Sequence, residues 1–369
     1  MTTPLTCAEI TPGWLNDALD DDVLQGASVT AVGIEIIGEG VGFLGDVARL
    51  SLMYDRETDA PASMIAKVPT AMEASRFMGD LLGFYEKEHQ FYRDIAPDLR
   101  VRVPRCYLNI KDDAAAPPAY LLVLEDLAPM RPGDQLASCS ADEAAMALSE
   151  LARLHARWWE HPRLDEFASW LPGHGDPYFD IAKGAFTDAI DPFIELWGER
   201  IPPQIRESLE RDKVDMTEYD ERAAATIGRS PRTFVHGDFR LDNMLLDSDE
   251  HGVSVAILDW QVGMRTNPML DVVYFVAGNF SPDFRREHED GLLRGYHQGL
   301  VDGGVTDYPF EQCWEDYRAM AIVLLPYAVI AAANVDYDEI NERGIELFEA
   351  MFDRYMQVIV DLDSFSLMP

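Results

Sequence analysis

Lysine is scarce in this 369-residue chain: there are five, at positions 67, 87, 111, 183 and 213. Lysine and arginine together number 30 against 66 aspartates and glutamates, a formal net charge of −36. A field of that sign repels nucleic acid and anionic membrane, so neither is an expected partner. Two readings of the acidic excess stand side by side. One is solubility or a salt-adapted host; the other is an acidic cleft for a cationic substrate. Cysteine is sparse too. Cys7, Cys106, Cys139 and Cys313 are scattered, with no C-x-x-C and no paired metal spacing. That excludes a disulfide framework and points to a reducing compartment. Met1–Asp22 has no basic residue and no apolar h-region, which argues against a signal peptide. The longest apolar run, Ala319–Ala333, is short for a membrane span and contains Pro326, so it reads as a buried helix. There is no internal repeat and no low-complexity segment. A soluble, cytoplasmic protein is the expectation.

Apolar residues make up 47% of the chain and aromatics 10%, ample for packed cores, and the length favours two lobes over one. Val29–Ile37, Val47–Tyr54, Ser63–Val68, Val101–Ile110 and Tyr120–Leu124 read as strands, with one helix over Gly83–Ala96. After Glu125-Asp126-Leu127 and a loop over 128–138, Ser140 and Glu143 form a capping box. Leu148, Leu151, Ala152, His155 and Trp159 then recur at helical spacing. Residues 161–230 read as Pro-punctuated helix, 231–260 as short strands, and the chain from about 283 as helices. The expected fold is α+β with two lobes: a β-rich N-lobe over 1–127 and a mainly helical C-lobe over 128–369.

The chemistry concentrates in His236-Gly237-Asp238-Phe239-Arg240-Leu241-Asp242-Asn243, followed sixteen residues after Asn243 by Asp259-Trp260. An Asp that orients a hydroxyl nucleophile, an Asn five positions on, and a second Asp at the end of the next strand together describe a phosphoryl-transfer site. The protein-kinase catalytic loop follows this logic. Asp238 is the candidate positioning residue, and Asn243 and Asp259 are hard oxygen ligands suited to Mg²⁺. Arg240 either reaches a γ-phosphate or pairs with Asp242 or another carboxylate. His236 reads as a loop brace and Asp271 as a carboxylate capping loop amides.

Upstream, Gly40-x-Gly42-x-x-Gly45-x-Val47 fits a phosphate loop, a dinucleotide fingerprint or a plain glycine hairpin. A dinucleotide fingerprint opens a helix, whereas Val47–Tyr54 reads as a strand, so the kinase-type loop is preferred. Lys67 sits in the apolar strand Met64-Ile65-Ala66-Lys67-Val68. It either finds an anion or snorkels at a strand edge. Glu88 is the favoured partner and Glu86 the fallback. Leu121–Leu124, running into Glu125 and Leu127, is where adenine would meet backbone groups. ATP and Mg²⁺ are the expected cofactors.

In order, these elements resemble a kinase. His-Gly-Asp in place of His-Arg-Asp, Asp259-Trp260-Gln261 in place of Asp-Phe-Gly, and a short path from Asp259 to Asp271 depart from protein kinases. They resemble the aminoglycoside phosphotransferase and choline kinase superfamily. Glu125-Asp126-Leu127, Leu151-Ala152-x-Leu154-His155-Ala156, Glu88-x-x-Phe91-Tyr92 and Thr11-Pro12-x-Trp14-Leu15 are similar to its ecdysteroid-kinase-like branch and bacterial relatives. The resemblance spans roughly residues 11–280 and implies a protein-kinase-like fold, ATP with Mg²⁺, and an alcohol acceptor on a small hydroxylated molecule. It leaves the acceptor open. An aminoglycoside suits the acidic charge, while Trp158, Trp159, Trp170, Phe179, Phe186, Phe193 and Trp197 suit a more apolar alcohol unless they are core. A nucleotide-binding pseudokinase acting as a regulatory module is the alternative.

Overall fold

The β-branched runs of the first 125 residues form one antiparallel sheet in a computed structural model that describes residues 2–37, 45–229, 231–249, 252–333 and 342–367. Its strands are β1 (Val29–Ile37), β2 (Gly45–Tyr54), β3 (Ser63–Pro69), β4 (Cys106–Asp112) and β5 (Ala119–Glu125), in the order β1-β2-β3-β5-β4. The expected strand over Val101–Ile110 begins only at Cys106. Pro104 explains the delay, because it lacks the N–H that a ladder hydrogen bond needs. Gly40 and Gly42 lie outside the described residues.

The sheet has two faces because side chains alternate along a strand. Met64, Ala66 and Val68 of β3 join Leu121 and Val123 of β5 in a buried cluster, packed with Ile10, Leu15 and Leu19 near the N-terminus. Lys67 falls on the opposite face, with Val47 and Leu122 as its neighbours in register. The helix Phe84–Gln90 packs against β4 and β5 and buries Tyr85 and Glu88. It continues as a π-turn over Phe91–Ile95 that buries Phe91 and Tyr92.

By packing, residues 1–130 together with 256–262 form one unit, and residues 131–255 with 263–369 form the other. The short segment 256–262, which carries Asp259, therefore belongs with the β-sheet and not with the helices that surround it in sequence. Phe91 and Trp260 account for this: their rings stack at 4.0 Å and 6°. The Ile257 amide also donates to the Arg102 carbonyl at 3.0 Å.

The second unit is mainly helical. The Ser140–Glu143 capping box is present and starts the helix Ala141–Trp158. Helices follow over Pro177–Trp197, Pro203–Val214, Thr217–Thr226, Met269–Asn279, Pro282–Asp302, Phe310–Met320, Leu324–Ala333 and Glu342–Asp361. Between them lie short strands. β6 (Arg131–Pro132), β8 (Met244–Asp249) and β9 (Gly252–Ile257) form one sheet in the order β6-β8-β9, and β7 (Thr233–Val235) pairs with β10 (Met264–Thr266). Trp158, Phe186, Phe193 and Trp197 are buried core residues. No helix among the described residues is long and apolar enough to cross a membrane.

Candidate active site

In the first unit the scarce lysine is fully committed. Lys67 Nζ lies 2.9 Å from Glu88 Oε1, 2.8 Å from Glu88 Oε2 and 3.3 Å from Asp259 Oδ1. Burial works against its charge, but Asp259 and Glu88 outweigh burial and hold the ammonium well above the ordinary lysine range. Glu86, the other carboxylate of that helix, is taken by Lys111 at 2.9 Å and by the Tyr120 hydroxyl at 2.9 Å. The geometry thus selects Glu88. A helical step of three residues aligns Tyr85 with Glu88, whereas Glu86 points to a different side.

Gly45 opens β2 opposite Pro69. A Cβ on it would stand 3.2 Å from the Val68 carbonyl oxygen and 3.4 Å from Lys67 Cε, so a side chain there would crowd the lysine stem. Asp259 takes a left-handed conformation, φ +61°, which aspartate tolerates better than most residues. Its side chain is 38% exposed, leaving carboxylate capacity beyond the Lys67 contact.

The Glu125-Asp126-Leu127 segment ends β5. Asp126 clamps two strands by accepting from Arg49 Nε at 2.7 Å and Ser63 Oγ at 2.8 Å. Glu125 accepts from Arg102 Nη2 at 2.6 Å and from the Arg105 amide at 3.0 Å, and its own amide donates to the Arg105 carbonyl at 2.8 Å. Leu127 is buried, with its carbonyl accepting from the Met130 amide at 3.0 Å. The carboxylate of Glu125 therefore faces arginine, not open space.

In the second unit the loop after β7 is held from below. Asp271, in the first turn of the helix Met269–Asn279, accepts from the His236 amide at 2.6 Å and the Gly237 amide at 2.8 Å. It also lies 3.2 Å from His155 Nε2, whose other ring nitrogen is 2.7 Å from the Tyr296 hydroxyl. Gly237 sits at φ +82°, where glycine carries no Cβ penalty; an arginine there would be strained. His236 Nδ1 accepts from the Asp238 amide at 3.2 Å, a brace within the loop. Further on, the Leu241 amide donates to Asn279 Oδ1 at 2.9 Å.

Three side chains converge on the Asp238 carboxylate. The Tyr274 hydroxyl donates to Oδ1 at 2.9 Å and Asn243 Nδ2 donates to Oδ2 at 2.8 Å. Arg240 Nε lies 3.2 Å from both oxygens. Burial raises the carboxyl, but Arg240, His236, Tyr274 and Asn243 together pull it below the ordinary aspartate value. Arg240 pairs with two carboxylates: besides Asp238, its Nη1 lies 3.2 Å from Asp242 Oδ2. Asp242 is locked in turn by the Gln135 amide at 2.8 Å.

Asn243 turns its amide nitrogen to Asp238, and its amide oxygen is not used in that contact. Its amide oxygen and, separately, the Asp259 carboxylate are hard oxygen donors, the kind Mg²⁺ takes alongside waters and phosphate oxygens. Among the described residues no group of three or more His, Cys, Asp or Glu side chains is arranged to hold a metal.

Tyr274 was not among the residues singled out from the sequence. The signal available was its place three residues after Asp271, on the same face of an otherwise apolar helix. A tyrosine buried there needs a partner for its hydroxyl.

A sequence profile of the ecdysteroid kinase-like family matches residues 39–305. Among curated proteins, mouse acyl-CoA dehydrogenase family member 10 is 36% identical over 64 residues, 17% of this chain and only 5% of that protein's length. Among solved structures, choline kinase from Cryptosporidium parvum Iowa II superposes with a TM-score of 0.57 at 10% identity, over 98% of this chain and 96% of that one. Plasmodium vivax ethanolamine kinase gives 0.54 at 11%, over 91% and 84%. The GDP complex of aminoglycoside 2'-phosphotransferase-IIIa gives 0.50 at 16%, over 88% and 94%. At such identities the likeness is one of fold: α+β and kinase-like, with a β-sheet N-terminal region and a mainly helical C-terminal region.

Proposed function

The chain belongs to the ecdysteroid kinase-like family, and from that premise we propose that it is a small-molecule kinase, an ATP- and Mg²⁺-dependent O-phosphotransferase acting on a hydroxyl of a small molecule. The observation that carries this reading is the Asp238 carboxylate, held ionised and fixed at both oxygens by Tyr274, Asn243 and Arg240. Such a group accepts a hydrogen bond from an acceptor hydroxyl and aligns it on phosphorus. Phosphoryl transfer passes through a loose transition state, so alignment and charge stabilisation matter more than strong base catalysis.

The remaining roles follow from chemistry already described. Lys67, charged and steadied by Glu88, is the cation for the nucleotide phosphates. Gly40, Gly42 and Gly45 supply the loop amides, and the segment ending in Glu125 and Leu127 receives the base through its backbone. Asn243 and Asp259 would each offer a hard oxygen to Mg²⁺, which would supply neutralisation of phosphate charge. Arg240 stabilises charge on the transferred group while steadying Asp238. Nucleotide binding is supported by the GDP seen in the aminoglycoside phosphotransferase of similar fold.

The test is incubation with MgATP and a panel of aminoglycosides, choline-like amines, sugars and steroids, with phosphorylated product identified by mass. Transfer to one acceptor class is the expected result. If MgATP raises the melting temperature but the whole panel yields no product, the phosphotransferase reading falls and a nucleotide-binding regulatory module takes its place.

A further inference from the structure

We infer that Tyr274 is a positioning residue for this transfer: its hydroxyl pins one oxygen of Asp238 so that the carboxylate meets the acceptor hydroxyl in a single orientation. The inference rests on the proposed role of Asp238 and adds a residue to it.

The argument starts from the carboxylate. The terminal torsion of an aspartate is broad, so one donor does not set the plane of its oxygens. Two donors on different oxygens do. Here Tyr274 holds Oδ1 and Asn243 holds Oδ2, at 2.9 and 2.8 Å, with Arg240 Nε at 3.2 Å from each. A carboxylate offers roughly four lone-pair sites. With three donors in place, the remaining one is directed, and an incoming hydroxyl finds it without reorganisation.

The placement of Tyr274 supports the same conclusion. Asp271 and Tyr274 are one helical step apart on the helix Met269–Asn279. Asp271 fixes the loop backbone at His236 and Gly237, and Tyr274 fixes the Asp238 side chain. A single helix face thus sets both the path of the loop and the aim of its reactive group. The Tyr274 ring is itself held by Tyr327 and Tyr355, with centroids at 5.4 and 6.1 Å. Burial, reinforced by Asp238, raises the tyrosine far above its ordinary value, so it remains a donor over the whole working range of pH.

Tyr274→Phe keeps the ring and removes the hydroxyl. The expected result is a fall in kcat of about 10- to 100-fold, an unchanged KM for MgATP, and an Asp238 carboxyl that titrates at higher pH than in the wild type. The titration is followed by carbon-13 NMR, with the Asp238→Asn spectrum identifying the signal. An Asp238 titration that does not move, or a loss confined to KM, overturns the proposal. Should the Phe variant fail to fold, fluorotyrosine incorporated at position 274 keeps the ring and strengthens the donor. Asp238 then titrates lower, and an unmoved titration again overturns the proposal. The carboxyl titration requires no acceptor, so it decides the Tyr274–Asp238 coupling even if the acceptor panel defeats the phosphotransferase reading.

Discussion

Lys67 in the first unit and Asp238 in the second are both partly buried charges, but their surroundings are built on different plans. Lys67 is one long side chain met by two carboxylates from distant stretches, Glu88 on a helix and Asp259 on a returning segment. Its setting is almost purely ionic. Asp238 is a short side chain in a net of neutral and charged donors, two of which, Arg240 and Asn243, come from its own loop. The difference suits the two tasks proposed for them. A cation that meets mobile phosphates needs charge held in reserve, and ion pairs can be exchanged for phosphate oxygens. A group that aims a hydroxyl needs fixed direction, which hydrogen bonds supply and point charges do not.

The sharpest way to break this comparison is Asp238→Ala. Turnover should drop by about a thousandfold or more, worth ~4 kcal/mol, while nucleotide affinity measured by calorimetry stays near wild type. Turnover that survives within about tenfold would remove Asp238 from the positioning role. Next in size is Trp260→Ala. Trp260 is fully buried and stacked on Phe91, so the variant should lose roughly 3–5 kcal/mol in denaturant unfolding. Because Asp259 rides on that anchor, Mg²⁺-dependent nucleotide binding should weaken as well; a variant with wild-type stability would show that 256–262 is held by something else.

Lys67→Met is the counterpart of Asp238→Ala. We expect nucleotide affinity to fall about tenfold, ~1.4 kcal/mol, in the same calorimetric assay. Equal nucleotide affinity in the two variants would erase the division of labour. The smallest effect is a pH dependence. The Asp238 pKa lies below its ordinary 3.8, so the group contributes stability and activity above that value and loses both as the pH falls through its lowered value. The acidic limb of turnover assigned to Asp238 should therefore appear below about pH 4, and Tyr274→Phe should move it upward. A limb near pH 6 in the wild type would point to another titrating group.

Much of this was open to reading without coordinates, and the reasons are specific. Strand alternation put Lys67 on the face opposite Met64, Ala66 and Val68, because the period of a strand is two whatever the context. The Ser140–Glu143 box announced its helix through local capping chemistry. The sequence reading also anticipated Asp271 as a cap on loop amides, and the structure places it there. The strand at Val101 was read too long, since an apolar β-branched start outweighed Pro104. Packing of 256–262 with the sheet was not legible either. It depends on a tryptophan finding a phenylalanine far away in the chain.

By itself the sequence determined the order and identity of the chemical groups: glycine loop, strand lysine, helix glutamate, Asp-x4-Asn and a second Asp, with Gly237 in place of an arginine. These are local properties of spacing, periodicity and backbone preference. Tertiary structure alone decided which groups serve which. It chose Glu88 over Glu86, gave Arg240 two carboxylate partners, linked His155 to Asp271, and brought Tyr274 to Asp238 across 36 residues of chain. Those contacts follow from how helices pack, and packing is a property of the whole fold that no window of residues contains.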